Sequence, residues 1–98
     1  MIKVLKEKDK IEIIGHSNYD IVGKDIVCSA VSSIVTTTIN GIISIDKKAI
    51  SYEYCNDTMT ISNTNNDEIT NKLLNNMLDL LKSLAKDYPK NINVKEKK

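Results

Sequence analysis

The sequence predicts an α+β fold, a two-layer sandwich in which two helices cover an antiparallel sheet in ββαββα(β) order. Three observations predict it. Two pairs of β-rich segments are each joined by a short polar turn, two longer segments repeat apolar residues at helical spacing, and hairpins and helices alternate along the chain. The 98 residues are expected to make a single domain spanning 1–98. A chain this short buries a modest core. A shallow groove, or a site completed by a second copy, is therefore expected rather than a deep pocket.

Ile2 to Leu5 and Ile11 to His16 are rich in β-formers, and the polar run Glu7-Lys8-Asp9-Lys10 turns the chain between them. In the second of these strands Ile11 and Ile13 share one face, while Glu12, Ile14 and His16 share the other. His16 thus stands where strand gives way to the loop Ser17 to Lys24, which contains Gly23. The period then changes. Val27, Ala30, Val31, Ile34, Val35 and Thr38 form one helical stripe, with Asp25 ahead of it in the position of an N-cap. Asn40-Gly41 is a stop signal, yet Ile39, Ile42 and Ile43 carry the stripe past it, so both ends remain open. Ile50, Tyr52 and Tyr54 alternate with polar residues, Asn56-Asp57 turns, and Met59 and Ile61 return on one face, a second hairpin. Asn65 with Glu68 resembles a capping pair for a second helix, through Ile69, Leu73, Leu74, Met77, Leu80, Leu81 and Leu84. That helix should stop near Tyr88-Pro89, because the residue before proline resists helical geometry. Ile92 to Val94 is expected as a last edge strand.

Composition narrows the function. Hydrophobic residues make up 41% and charged residues 28%, ordinary for a soluble domain, and with no Phe or Trp the core must be Ile, Leu and Val. A net charge of +1 gives no nucleic-acid signal, since such domains carry a basic stripe. The terminal Lys95-Glu96-Lys97-Lys98 reads as a solvated tail. The run Met1 to Lys6 lacks the apolar stretch of a signal peptide, so none is expected, and no stretch is expected to reach the ~20 apolar residues of a membrane span. These features predict a cytoplasmic protein with no membrane partner. In that reducing compartment Cys28 and Cys55 are expected as thiols rather than as a disulfide.

The chemistry-bearing residues are Cys28 and His16. With Asp25 as cap, Cys28 is the third residue of the first helix. There the first-turn amides and the positive end of the macrodipole favour a thiolate, and helix starts are among the places that lower a cysteine pKa below about 8.5. On a helical wheel Cys28 lies roughly a quarter turn from the centre of the Val27/Val31/Ile34 stripe. Asp25 and Ser32 project to the same flank. His16 is the sole histidine, and a cysteine nucleophile needs a base within hydrogen-bond reach. The eight residues Ser17 to Lys24 permit that contact. Taken alone, the pair also fits a buried small cysteine and a surface histidine. Asp25 fits a helix cap as well as a catalytic support, Ser32 fits a surface serine, and Cys55 reads as structural.

The block Gly15-His16, Gly23, Asp25-Ile26-Val27-Cys28-Ser29-Ala30-Val31-Ser32 resembles the signature of the ribosomal-processing cysteine proteases. The resemblance extends through Asn40, the leucine-rich second helix and Leu84-Ala85-Lys86-Asp87-Tyr88-Pro89. It implies a homodimeric cysteine endopeptidase, without metal or organic cofactor, that removes an N-terminal extension from large-subunit ribosomal protein twenty-seven. It also implies that Cys28 is the nucleophile and His16 its base, with Asp25 in the family's acidic position and Ser32 and Gly23 in supporting ones. First-turn amides would then meet the oxyanion. Two departures stand out. Ser17-Asn18 replaces the family's usual Ala-Gly after the histidine, and Ser29 replaces a more usual alanine. The competing readings are a ribosome-associated binding module of the same fold and a thiol redox protein. The second of these lacks a nearby resolving cysteine.

Overall fold

Short connections decide which strands pair. In the computed structural model, which describes residues 1–15 and 25–97, β1 (Ile2–Glu7) and β2 (Lys10–Ile14) leave only Lys8 and Asp9 between them and pair antiparallel. β3 (Ile50–Cys55) and β4 (Thr58–Asn63) are joined by Asn56 and Asp57, whose φ angles of 50° and 61° are both left-handed. Two consecutive left-handed residues make the turn whose twist matches that of the strands it joins, and Asn and Asp tolerate it best after glycine.

α1 (Ile26–Ile45) follows β2, and α2 (Glu68–Asp87) follows β4. β5 (Ile92–Glu96) ends the order, which is the one expected. The sheet runs β3-β4-β2-β1-β5. Its β1/β2, β2/β4 and β3/β4 seams are antiparallel as expected. The fourth differs: β5 lies at an edge, but parallel to β1, with Ile2 opposite Ile92 and Val4 opposite Val94. The sheet is therefore mixed. A 20-residue helix carries the chain back about 30 Å, so the strand after it restarts from the same end.

The register explains why both helices lie on one side. α1 links β2 to β3, and α2 links β4 to β5, each pair running parallel with other strands between them. Such crossovers are right-handed almost without exception. These two begin on antiparallel strands and move in opposite directions across the sheet, so one handedness puts both helices on the same face. The core forms there. Val27, Val31, Val35, Ile39 and Ile42 of α1 and Leu74, Met77, Leu78 and Leu81 of α2 pack on Ile2, Val4, Ile11, Ile61 and Ile92. The opposite face carries Lys3, Glu12, Glu53 and Thr60, as alternation requires.

One end left open is decided, and two local expectations are corrected. α1 does not stop at Asn40-Gly41. It runs to Ile45, because Ile39 and Ile42 are both buried in the stripe, and a side chain at Gly41 would meet nothing. α1 is also long and apolar enough to cross a membrane by length and composition, contrary to the sequence expectation, but its stripe is packed on the sheet. Finally, α2 is capped by Asp67, whose carboxylate accepts from the Thr70 amide at 2.8 Å. Asn65, the expected cap, instead donates to Asp46 and Asp67, and Glu68 becomes the first helical residue, paired with Lys72. α2 ends where Tyr88-Pro89 predicts, with Tyr88 as C-cap.

Candidate active site

β2 ends on a glycine that the backbone demands. Gly15 has φ +88°, and a side chain there would stand 3.0 Å from the Met1 carbonyl oxygen. Its amide donates to the Asp57 carbonyl at 3.0 Å, tying the end of β2 to the turn of the second hairpin. The next residue is His16. His16, Gly23 and the rest of the predicted loop lie outside the described residues.

The chain is described again from Asp25, and here the expected cap is present. Asp25 is buried, at 7% exposure, and its Oδ1 accepts from the amides of Val27 at 3.0 Å and Cys28 at 2.9 Å. Its carbonyl takes the Ser29 amide at 3.1 Å. One residue thus engages the amides of Val27, Cys28 and Ser29 at the start of α1. The positive end of α1 meets a carboxylate before it meets the sulfur.

Cys28 is half-buried at the border of the stripe, packed against the core on one side. On its other side is a cavity of about 260 Å³. Among the described residues Cys28, Val31, Ser32, Val35 and Thr36 of α1 form one wall. Ile2, Ile13 and Gly15 come from the first hairpin, and Tyr54, Asp57 and Met59 from the second. The floor is apolar and the rim polar, and the volume suits one or two peptide side chains better than a whole cofactor. Ser32, exposed one turn after Cys28, shares the wall as the helical wheel predicts. Gly15, the last described residue before the predicted loop, lines the same space.

A larger cavity, about 460 Å³, lies at the far end of α1 between Ile45, Asp46, Ala49, Ile69 and Leu73. Among the described residues it has no thiol in its lining, whereas the smaller cavity has Cys28. Neither cysteine is in a disulfide. Cys55, expected to be structural, is exposed at the end of β3 and fills no core. The sequence reading did not find Ile13, Tyr54, Asp57 or Met59 as site residues. Only the pairing of β4 with β2 on one side and β3 on the other brings them beside α1, and no local motif announces that pairing.

The comparisons with known proteins agree with this geometry. The family model described as cysteine protease Prp matches residues 1–93. The ribosomal processing protease Prp from S. aureus, solved with a covalently linked product peptide, is 27% identical, with 99% of this chain and 100% of that one covered and a TM-score of 0.90. The S. aureus protease solved with a substrate peptide gives 23% identity over 99% of this chain and 100% of that one, at a TM-score of 0.86. SMU.848 from Streptococcus mutans shares the fold at 23% identity over 97% of this chain and 90% of that one, at a TM-score of 0.77. No curated protein sequence matches significantly. The thiol at the head of α1, the glycine that ends β2 and the cavity between them are therefore features of a chain that belongs to the cysteine protease Prp family and is, with it, a cysteine-type hydrolase.

Proposed function

We propose that the chain is an endopeptidase that cleaves the N-terminal extension from large-subunit ribosomal protein twenty-seven in the cytoplasm, with Cys28 as nucleophile and His16 as general base. One observation carries this reading: Cys28 and the residue preceding His16 line a single cavity large enough for one or two peptide side chains. The S. aureus relatives, a ribosomal processing protease solved with substrate and with product peptide, support the class of substrate.

The chemistry follows from the two groups. The His16 imidazole takes the proton of Cys28, and Sγ attacks the scissile carbonyl carbon to form a tetrahedral intermediate. Its collapse breaks the C–N bond, and His16 returns the proton to the leaving amine. Water, deprotonated by the same imidazole, then cleaves the thioester and regenerates the thiol. Asp25 holds the first turn of α1, and with it the backbone of Cys28, in place. A homodimer is part of the same proposal. Ile69 at 57% exposure and Leu80 at 46%, both on the apolar side of α2, are left for a partner to cover.

The test uses a synthetic peptide spanning the extension. Cys28→Ala and His16→Ala should each lose cleavage while the melting temperature and peptide binding persist. Cleavage surviving in Cys28→Ala would remove the assignment of the nucleophile.

A further inference from the structure

The two edges of the sheet are built differently. β5 closes one edge with Lys95 and Glu96, the charged residues that natural edges use against unwanted pairing. β3 closes the other with Ile50-Ser51-Tyr52-Glu53-Tyr54-Cys55, which has no Lys or Pro and is exposed along five of its six residues. Tyr52 and Tyr54 are 54% and 67% exposed.

The hairpin fixes which backbone groups that edge offers. With two residues in the turn, Cys55 and Thr58 close it as the pair exchanging both backbone bonds, and bonded and non-bonded pairs alternate from there. Tyr54 opposite Met59 and Tyr52 opposite Ile61 are then non-bonded pairs. The N–H and C=O of Tyr52 and Tyr54 therefore point outward, away from β4. Met59 and Ile61 direct theirs toward β2, where they face Ile13 and Ile11. Tyr54 also lines the cavity that holds Cys28, so this open edge runs directly into the candidate site.

We propose that the edge of β3 is where the substrate docks: an extended peptide adds to it as a sixth strand, hydrogen-bonded to the backbone of Tyr52 and Tyr54. Strand addition is a recurring mode of peptide recognition, with main-chain bonds giving affinity and alternate side chains giving selectivity. Residues directly opposed in a sheet share a face. The peptide residue opposite Tyr54 thus turns its side chain to the helix side, toward Met59 and Val35 in the cavity, and an apolar side chain fits there. The six residues of β3 provide about 20 Å of edge at ~3.4 Å per residue. This inference rests on the reading of Cys28 as nucleophile and adds how the substrate is held.

The experiment measures affinity for the synthetic extension peptide in the Cys28→Ala background, by fluorescence anisotropy. Tyr52→Ala removes the ring, whereas Tyr52→Pro removes the ring and the outward N–H. Proline is tolerated on an edge where the N–H faces solvent. The proline variant should bind about 3- to 10-fold more weakly than the alanine variant, the share of one backbone hydrogen bond. A scan of N-methylated peptides against the unaltered edge should show losses at every second residue, and it decides the matter should the proline variant fail to fold. Equal affinities with no alternation overturn the proposal. So does an unchanged peptide affinity when Tyr52→Pro converts a dimer to a monomer, because the edge then belongs to a second copy. If the wild-type chain cuts the peptide and the scan lacks alternation, the docking mode alone falls. If the wild-type chain neither cuts nor binds it, the reading of the function falls as well.

Discussion

Replacing Asp25 tests the geometry on which the site stands. In Asp25→Ala the amides of Val27 and Cys28 lose the acceptor that both use. Losing an N-cap costs about 1 kcal/mol, within a range of roughly 0.5–2. Leaving a second amide beside a buried position without a partner adds about 1–2 kcal/mol. The sum is about 2–3 kcal/mol. In a domain of this size each kcal/mol is worth roughly 4–8 °C, so the melting temperature should fall by about 10–20 °C. Asp25→Asn keeps an acceptor oxygen at the same reach, and Asn caps as well as Asp, so its melting temperature should stay close to that of the parent. Thermal melts followed by circular dichroism read both. An Asp25→Ala variant within about 0.5 kcal/mol of the parent would refute the capping argument, since surface substitutions alone do that much. Cleavage by Asp25→Asn then separates the two roles expected of the residue. A fall in kcat at unchanged melting temperature assigns the charge to the imidazolium, and an unchanged kcat leaves Asp25 the cap alone.

Gly15→Ala places a side chain at φ +88° and 3.0 Å from the Met1 carbonyl oxygen, so it should cost about 1–3 kcal/mol and lower kcat/KM by displacing the start of the His16 segment. A variant with parental stability and activity would show that the glycine is dispensable. Asp67 carries a pH signature: the bond from the Thr70 amide, helped by the Thr70 and Asn65 side chains, lowers its pKa below the ordinary 3.8. Its contribution to stability is therefore full above that value and is lost as pH falls through the lower, folded-state value. The melting-temperature advantage of the parent over Asp67→Asn should shrink across that acid window, and an advantage that grows there would contradict the sign.

The hairpins, both helices and the end of α2 were legible because each is written in local residues. Alternation marks β3 and β4, the valine and isoleucine period marks α1, and Tyr88-Pro89 stops α2. Asp25 was legible as a cap for the same reason, since it stands directly before the stripe it serves. What was misread or left open shares a cause. Asn65 and Asp67 are both good caps by type, and only the tertiary bonds from Asn65 to Asp46 and Asp67 decide between them. Gly41 stops a helix in isolation but not one whose Ile39 and Ile42 are already buried on a sheet. The direction of β5 and the cavity lining by Met59 and Tyr54 depend on pairings far apart in sequence. A motif of eight contiguous residues marked Cys28, yet nothing local marked the surface facing it.

The placement of the site follows from the crossover geometry. β2 must hand the chain to α1 at one end of the sheet, and the turn between β3 and β4 lies at that same end, because β2 pairs with β4 with Ile14 opposite Thr58. The left-handed pair Asn56 and Asp57 therefore sits beside the exit of β2, where the Asp57 carbonyl holds the Gly15 amide. Three chain segments converge there: the glycine before the imidazole, the capped start of the helix with its thiol, and the hairpin turn that continues into the open edge of β3. The core stripe of α1 fixes the rotation of that helix through Val27 and Val31, both almost fully buried, and so sets the sulfur at the border rather than inside. A residue one position earlier on the helix would be locked in the core, and one position later would face solvent, as Ser29 does. The same packing that stabilises the domain thus selects position 28 as the one in the first turn of α1 that is both supported by the core and open to the cavity.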